Sequence, residues 1–404
     1  GLCSFARSRP MEKPLTQTVP QFEVVTDIEV FLSLQQEWEE LWQAAQGTPF
    51  QLFRYCLHVL REVAIPTGAS LCCIVGRKGG RMIFAWPLIR YREYLWMTVR
   101  PLAPDTSEPS DVLVAAGEDA DSLVSAGWSA LVSSGGIDII NLPMVRQDSA
   151  LHRFLLRPKR LSRGERRVIG VARLMQYRTW AEYRGTLADS FRKRQDYDRR
   201  RLLKAGDTKF FSAPDNPSGA AYVQTMLAWK NQWAARVGAV GDFFKEPYQN
   251  FLRKIAADPS FGQSFRVFVL TLNGEAIAVN LVAISTGVVV GMQTAYDPAY
   301  AKYTPGSLLL EYVLEWAFEN RRDVDFGSGD SKYKSNWTGG LGYMCTDFRI
   351  GVSRWGRTAF AARALQRHYE SLPLRIASGP VGRALKIRRG KKADGPPSPR
   401  MRET

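Results

Sequence analysis

Residues 296–337, YDPAYAKYTPGSLLLEYVLEWAFENRRDVDFGSGDSKYKSNW, decide the fold. They read as the end of a strand, a tight Pro-Gly loop, a helix, a strand and a polar loop. Pro305-Gly306 makes the loop, and Ser307 opens the helix. Leu308, Leu309, Tyr312, Val313, Trp316 and Ala317 then recur at helical spacing. Val324-Asp325-Phe326 is a short strand, broken by Gly327-Ser328-Gly329-Asp330. A glycine-assisted loop that feeds a helix N-terminus aims free N–H groups and the positive end of the helix dipole at its ligand. Such a β-loop-α-β unit can hold a pyrophosphate, with the chemistry on the loops beside it.

Working outward, an antiparallel meander precedes this unit. Its strands are expected over 265–272, 275–285 and 288–296, with Asn273-Gly274 and Thr286-Gly287 as turns. Before it stand a basic helix (187–205), a strand (208–212), a long helix (218–236) and a shorter one (247–257). The first half shows a similar order. It has a strand at 22–25, a helix capped by Asp27, a helix over 50–62, and strands at 70–76 and 81–87 joined by Arg77-Lys78-Gly79-Gly80. A strand near 94–99, a helix near 118–133, a strand at 137–142 and a helix after Asp148 complete it.

The 404 residues exceed one ordinary core and suit two domains with tails. No apolar run approaches the roughly 20 residues of a membrane span, and the N-terminal residues lack the apolar segment of a secretory signal. These features predict a cytoplasmic protein, or one peripheral at the inner membrane. Cys3, Cys56, Cys72, Cys73 and Cys345 form no CxxC pair and predict reduced thiols. His58, His152 and His368 share no ligand spacing, so no metal is expected. The absence of a G-x-S-x-G elbow disfavours a serine hydrolase.

The formal net charge is +16. It concentrates in 153–178, in 184–209 and in the tail RALKIRRGKK at 383–392. The block 192–204 reads as a solvated helix face diluted by Asp189, Asp196, Asp198 and Asp207, without a nucleic-acid-binding signature.

Read as Y-D-x-x-Y-x-x-Y-x-P-G-x-L-L followed by D-F-x-x-G-D-x-x-Y-K-x-x-W, the opening segment resembles the GNAT-type acyltransferase domain of CelD-like proteins. That family is associated with bacterial cellulose and other exopolysaccharides and is related to the Fem-type peptidyltransferases. The likeness reaches back more loosely to Phe191; the first half matches only in general character. The resemblance, with the element order, implies an α/β (α+β) fold of two tandem GNAT-like domains. Each would be a mixed, mostly antiparallel sheet flanked by helices. The expected division is a disordered segment at 1–20, domains at 21–180 and 181–355, and an amphipathic helix with a basic disordered tail at 356–404.

The resemblance further implies transfer of an acyl group from acetyl-CoA or another acyl-CoA to an amine, such as that of an amino sugar or polysaccharide precursor. No metal is needed. Lys302, Tyr303, Thr304, Pro305, Gly306, Ser307 and Leu308 occupy the pyrophosphate loop, with Ser307 and Leu308 supplying N–H groups. Asp330 is the candidate base, Tyr333 the acid for the departing thiolate, and Lys334 a phosphate or carbonyl ligand. Tyr296, Asp297, Lys230 and Trp337 are expected to face the acceptor. Two alternatives stay open. One is a Fem-like transferase using aminoacyl-tRNA. The other is a non-catalytic effector whose basic C-terminus binds an anionic membrane or a dinucleotide such as cyclic di-GMP, through Arg363 and Arg367.

Overall fold

The structure, a computed structural model, describes residues 19–105, 108–157, 162–327 and 332–360. β1 (Gln21–Val25) leads to α1 (Ile28–Ser33), whose first N–H groups, those of Glu29 and Val30, donate to the Asp27 carboxylate. α2 (Gln35–Ala44) and α3 (Phe53–Val59) follow, and α3 runs on through a wider turn at Leu60–Ala64. β2 (Ser70–Leu71) and β3 (Cys73–Lys78) return as β4 (Arg81–Trp86) and β5 (Leu88–Glu93). Then come β6 (Trp96–Pro101), β7 (Leu113–Val114), α4 (Ala120–Ser133), β8 (Ile139–Arg146), α5 (Ala150–Leu155) and β9 (Ser162–Ala172).

The second half opens with α6 (Trp180–Thr186), α7 (Asp189–Ala205) and β10 (Thr208–Ser212). α8 (Asn216–Val237) and α9 (Glu246–Ala257) precede the meander of β11 (Phe265–Leu272), β12 (Glu275–Ser285) and β13 (Val288–Tyr296). α10 (Pro305–Glu319), β14 (Asp323–Asp325), α11 (Lys332–Thr338) and β15 (Gly342–Gly351) complete the described chain. α10 starts two residues before Ser307 because proline is favourable in a first turn, where its missing N–H costs nothing. Part of the expected polar loop is the helix α11.

The strands form a four-stranded sheet, β1-β3-β4-β7, and an eleven-stranded sheet, β10-β11-β12-β13-β14-β9-β15-β8-β6-β5-β2. The order shows an exchange. β9, from the first half, lies beside β14 of the second, and β15, from the second half, lies beside β8 of the first. The division expected at 180/181 is therefore crossed by the sheet itself. The sequence reading missed both exchanged strands. β9 (SRGERRVIGVA) is too charged to read as buried, yet β15 pairs with nearly its whole length and the Arg167–Asp347 ion pair crosses the ladder. Backbones run close here: a Cβ on Gly342 would stand 2.1 Å from the Ile169 carbonyl oxygen, so only glycine fits.

One apolar core serves both halves. Tyr55 of α3 stacks on Phe265 of β11 at 5.6 Å and meets Phe251 of α9 edge-on at 5.3 Å. A second core lies on the other face of the second-half sheet, where Leu308, Leu309, Val313, Leu314 and Ala317 of α10 cover β11 to β14. Burial of such side chains stabilises by about 1.5–3 kcal/mol each. The cysteines Cys56, Cys72, Cys73 and Cys345 are buried free thiols.

Candidate functional site

The sheet opens between β13 and β14. These strands run parallel and pair only at Val288, Val289 and Val290 with Asp323, Val324 and Asp325. Beyond that point they diverge. At the fork a Cβ on Gly327 would lie 2.9 Å from the Gly291 carbonyl oxygen, so the two backbones almost touch before separating. A register shift between Leu281 and Val282 bends β13 at the same level. Among the described residues no strand pairs with the β14-facing edge of 291–296. That edge offers unpaired N–H and C=O groups to an extended, amide-bearing ligand.

α10 begins beside the fork. Its N-cap Thr304 is left-handed (φ 50, ψ 47), its first turn holds no acid, and no side chain caps it. The N–H groups of Ser307 and Leu308 both bond the Thr304 carbonyl at 3.0 and 3.2 Å. They are therefore not the free donors expected, and Pro305 has none. Among the described residues the Gly306 N–H has no partner, and its Cα faces the Tyr296 ring, where a Cβ would stand 3.2 Å away. From below, α7 pins the turn. Asp198, 1% exposed, accepts from the Thr304 hydroxyl at 3.0 Å and from Arg194, and Gln195 bonds the Ser307 hydroxyl. Lys302 is exposed with its ammonium 4.9 Å over the half-buried Tyr303 ring, and its carbonyl accepts from Arg201. An extended ligand with an anionic group could lie along the β13 edge. Its anionic group would meet the Gly306 N–H, the helix dipole and the Lys302 ammonium, a thinner cradle than a glycine-rich loop provides.

The residues downstream of the fork divide. Asp330 lies outside the described residues. Tyr333 is exposed. The Lys334 ammonium donates to the Phe326 carbonyl at 2.9 Å, tying α11 to the end of β14. Trp337 does not face an acceptor. It is 1% exposed, packs edge-on against Phe191 at 4.8 Å, and its carbonyl takes the Tyr183 hydroxyl. Asp297 caps the short turn Pro298–Tyr303 by accepting from the Ala299 N–H, and Tyr296 is exposed beside Gly306. A pair not anticipated sits at the fork. The Tyr343 hydroxyl of β15 donates to the Asp325 carboxylate of β14 at 2.7 Å, and the Arg146 guanidinium lies 4.3 Å over the Tyr343 ring. Burial pushes Asp325 up from the usual carboxylate range, while its bond from Tyr343 opposes this.

The opposite wall comes from the first half and was also missed. β6 and β7 are two parts of one path along the bent β4–β5 strand, interrupted by residues 102–112. This excursion carries Asp105 and Glu108 to the second half. Tyr248 of α9, its hydroxyl raised by burial, lies near Asp105 and Gln293, and Gln293 lies on the diverging part of β13. Glu108 is half-buried, bonds Tyr55, and burial pushes its carboxyl up to about 8. Arg100 of β6, lowered by burial, faces the same group. Lys230 of α8 stands 4.8 Å over the Phe243 ring, with its ammonium brought down to about 8 by burial. A carboxyl held near 8 is mostly protonated at neutral pH and becomes a proton acceptor as the pH rises through that value. The only signal for this wall in the sequence was an acid-bearing break inside a strand.

Residues 189–335 match the acetyltransferase (GNAT) domain family, a span from the start of α7 into α11. No curated protein matches the chain. Among solved structures the chain resembles FemX, at 11% identity over 81% of this chain and 96% of that one, with a TM-score of 0.53. It also resembles a conserved protein of unknown function from Bacteroides thetaiotaomicron VPI-5482, at 7% identity over 82% and 100%, TM-score 0.50. A tandem GNAT protein from the clavulanic acid biosynthesis pathway aligns at 14% identity over 83% and 99%, TM-score 0.45. At these identities the likeness is one of fold. The chain is a mixed α/β protein of tandem GNAT-like build, and its second half carries the acetyltransferase domain.

Proposed function

We propose that this protein is an N-acyltransferase that takes an acyl group from acyl-coenzyme A, acetyl-CoA first among them, and places it on the amine of an amino sugar or related envelope-polysaccharide precursor. The observation that carries the reading is the fork of β13 and β14, with a strand edge that no described strand pairs above a helix N-terminus that no side chain caps. Acyl-CoA supplies an activated thioester. The chain's own residues do the rest. The β13 edge at 291–296 orients the donor by backbone bonds. Gly306 and Lys302 take negative charge. The wall of Asp105, Glu108 and Tyr248 receives the acceptor, and Glu108 accepts its proton. Tyr333, exposed beside the fork, returns a proton to sulfur. Holding the two reactants in register supplies much of the rate.

α7 does not favour a tRNA donor. Its cations are largely neutralised: Arg194 pairs with Asp198, Arg192 with Asp189 and Arg199 with Glu311, while Arg184 of α6 takes Asp196 and Glu311. The test is thiol release from acetyl-CoA with a panel of amino sugars. Acceptor-dependent release supports the reading. Absence of release with every amine, together with no calorimetric binding of acetyl-CoA, contradicts it. Asp330→Asn and Glu108→Gln, compared at saturating donor, separate the two candidate bases.

A further inference from the structure

β5 and β6 are joined by a two-residue turn, Tyr94-Leu95, since Glu93 and Trp96 are partners in the ladder. Such turns select asparagine and glycine, which tolerate positive φ. Here Tyr94 stands at φ 55, a backbone state that is costly for an aromatic residue. The side chains held there face water: Tyr94 is 82% exposed and Leu95 64%. Trp355, from the helical turn that begins at Ser353, joins them at 49%. The two indoles are clasped together. Trp96 Nε1 donates to the Trp355 carbonyl and Trp355 Nε1 to the Leu95 carbonyl, both at 3.1 Å, with ring centroids 5.9 Å apart. Their polar N–H groups are thus used internally, and the outward surface is apolar.

The charge around this knob has one sign. Arg92, Arg354 and Arg357 are exposed beside it. The neighbouring acids turn inward: Glu93 to Arg349 at 2.7 Å and to Thr98, and Asp138 to the Met97 N–H at 2.9 Å and the Ser353 hydroxyl at 2.6 Å. Tyrosine and tryptophan suit the boundary between lipid headgroups and acyl chains, and cations near an anionic leaflet add attraction. Among the described residues no helix is long and apolar enough to cross a membrane, so such contact would be peripheral.

We propose that the knob of Tyr94, Leu95 and Trp355 inserts into the headgroup layer of an anionic bilayer, with Arg92, Arg354 and Arg357 holding the protein to its charge. The assignment does not depend on the acyltransferase reading. The double substitution Tyr94→Asn/Leu95→Gly gives the turn residues it favours, so the fold is retained while the apolar tip is lost. The experiment measures co-sedimentation of the full chain with phosphatidylcholine vesicles, with and without phosphatidylglycerol. Wild type is expected to bind only the anionic vesicles, in a salt-sensitive manner. The double variant is expected to bind at least about tenfold more weakly, the equivalent of losing part of the burial of two apolar side chains. Equal binding by wild type and variant overturns the knob. Two further results also overturn it. One is a wild-type dimer that the substitution dissolves, without vesicle binding, which would make a second copy the occupant. The other is stronger vesicle binding after truncation at Pro373, which would make the chain's own tail the cover.

Discussion

Two helices hold corresponding places in the two halves, and their N-termini differ. α4 leads into β8, which runs parallel to β6; α10 leads into β14, which runs parallel to β13. At α4 the Asp119 carboxylate caps the first turn by accepting from Asp121 and Ser122, and Asp121 adds a second acid. The dipole end there is already answered by protein. At α10 there is no cap, no acid in the turn, and one free N–H at Gly306. The halves share a build but only the second keeps an open anion position. The first half also reaches across: its strand-breaking excursion brings Asp105 and Glu108 near Tyr248 of α9, beside Gln293 of β13. On the proposed reading, one half binds the donor and the other supplies the acceptor wall.

The largest effect is expected where the halves meet. Glu108→Gln should lower turnover by about 10²–10⁴ while leaving acetyl-CoA affinity unchanged, because a positioned base is worth that much. In wild type, turnover should rise with pH through about 8 as Glu108 loses its proton. Its stability contribution has the opposite slope. Folding favours the protonated carboxyl, so that contribution is full below the ordinary value of 4.5 and is lost as pH rises through about 8. Thermal melts across that range should show a decline in wild type that Glu108→Gln lacks. Turnover unchanged in Glu108→Gln would leave the first half as scaffold alone.

A smaller effect sharpens the contrast at the donor. Gly306→Val drives a Cβ to 3.2 Å from the Tyr296 ring and crowds the one free N–H. Acetyl-CoA affinity should fall at least about tenfold, about 1.4 kcal/mol, as read by calorimetry. The smallest effect belongs to α4. Asp119→Ala removes a cap and should cost about 1 kcal/mol of stability in denaturant titration, with donor affinity unchanged. A gain of donor binding at the uncapped α4 would break the comparison.

The sequence exposed the donor side well because its signals are local. Asn273-Gly274 between apolar runs set the β11–β12 hairpin, and Pro305-Gly306 marked the start of α10. The exchanged strands were hidden for a physical reason. β9 is a strand because β14 and β15 pair with it from distant parts of the chain, not because its own residues are apolar. The proposed acceptor wall was hidden likewise, since Tyr248, Gln293 and Asp105 come together only through tertiary structure. Trp337 misled by type: an aromatic beside a polar motif reads as a ligand face, and here it fills the core under α7.

The central claim is one donor site, in the second half, at the open end of α10. Isothermal titration of acetyl-CoA into wild type, Gly306→Val and Asp119→Ala tests it most directly. The account predicts one site per chain, weakened by Gly306→Val and unchanged by Asp119→Ala. Two sites per chain, or binding that is indifferent to Gly306→Val in a folded protein, would contradict it.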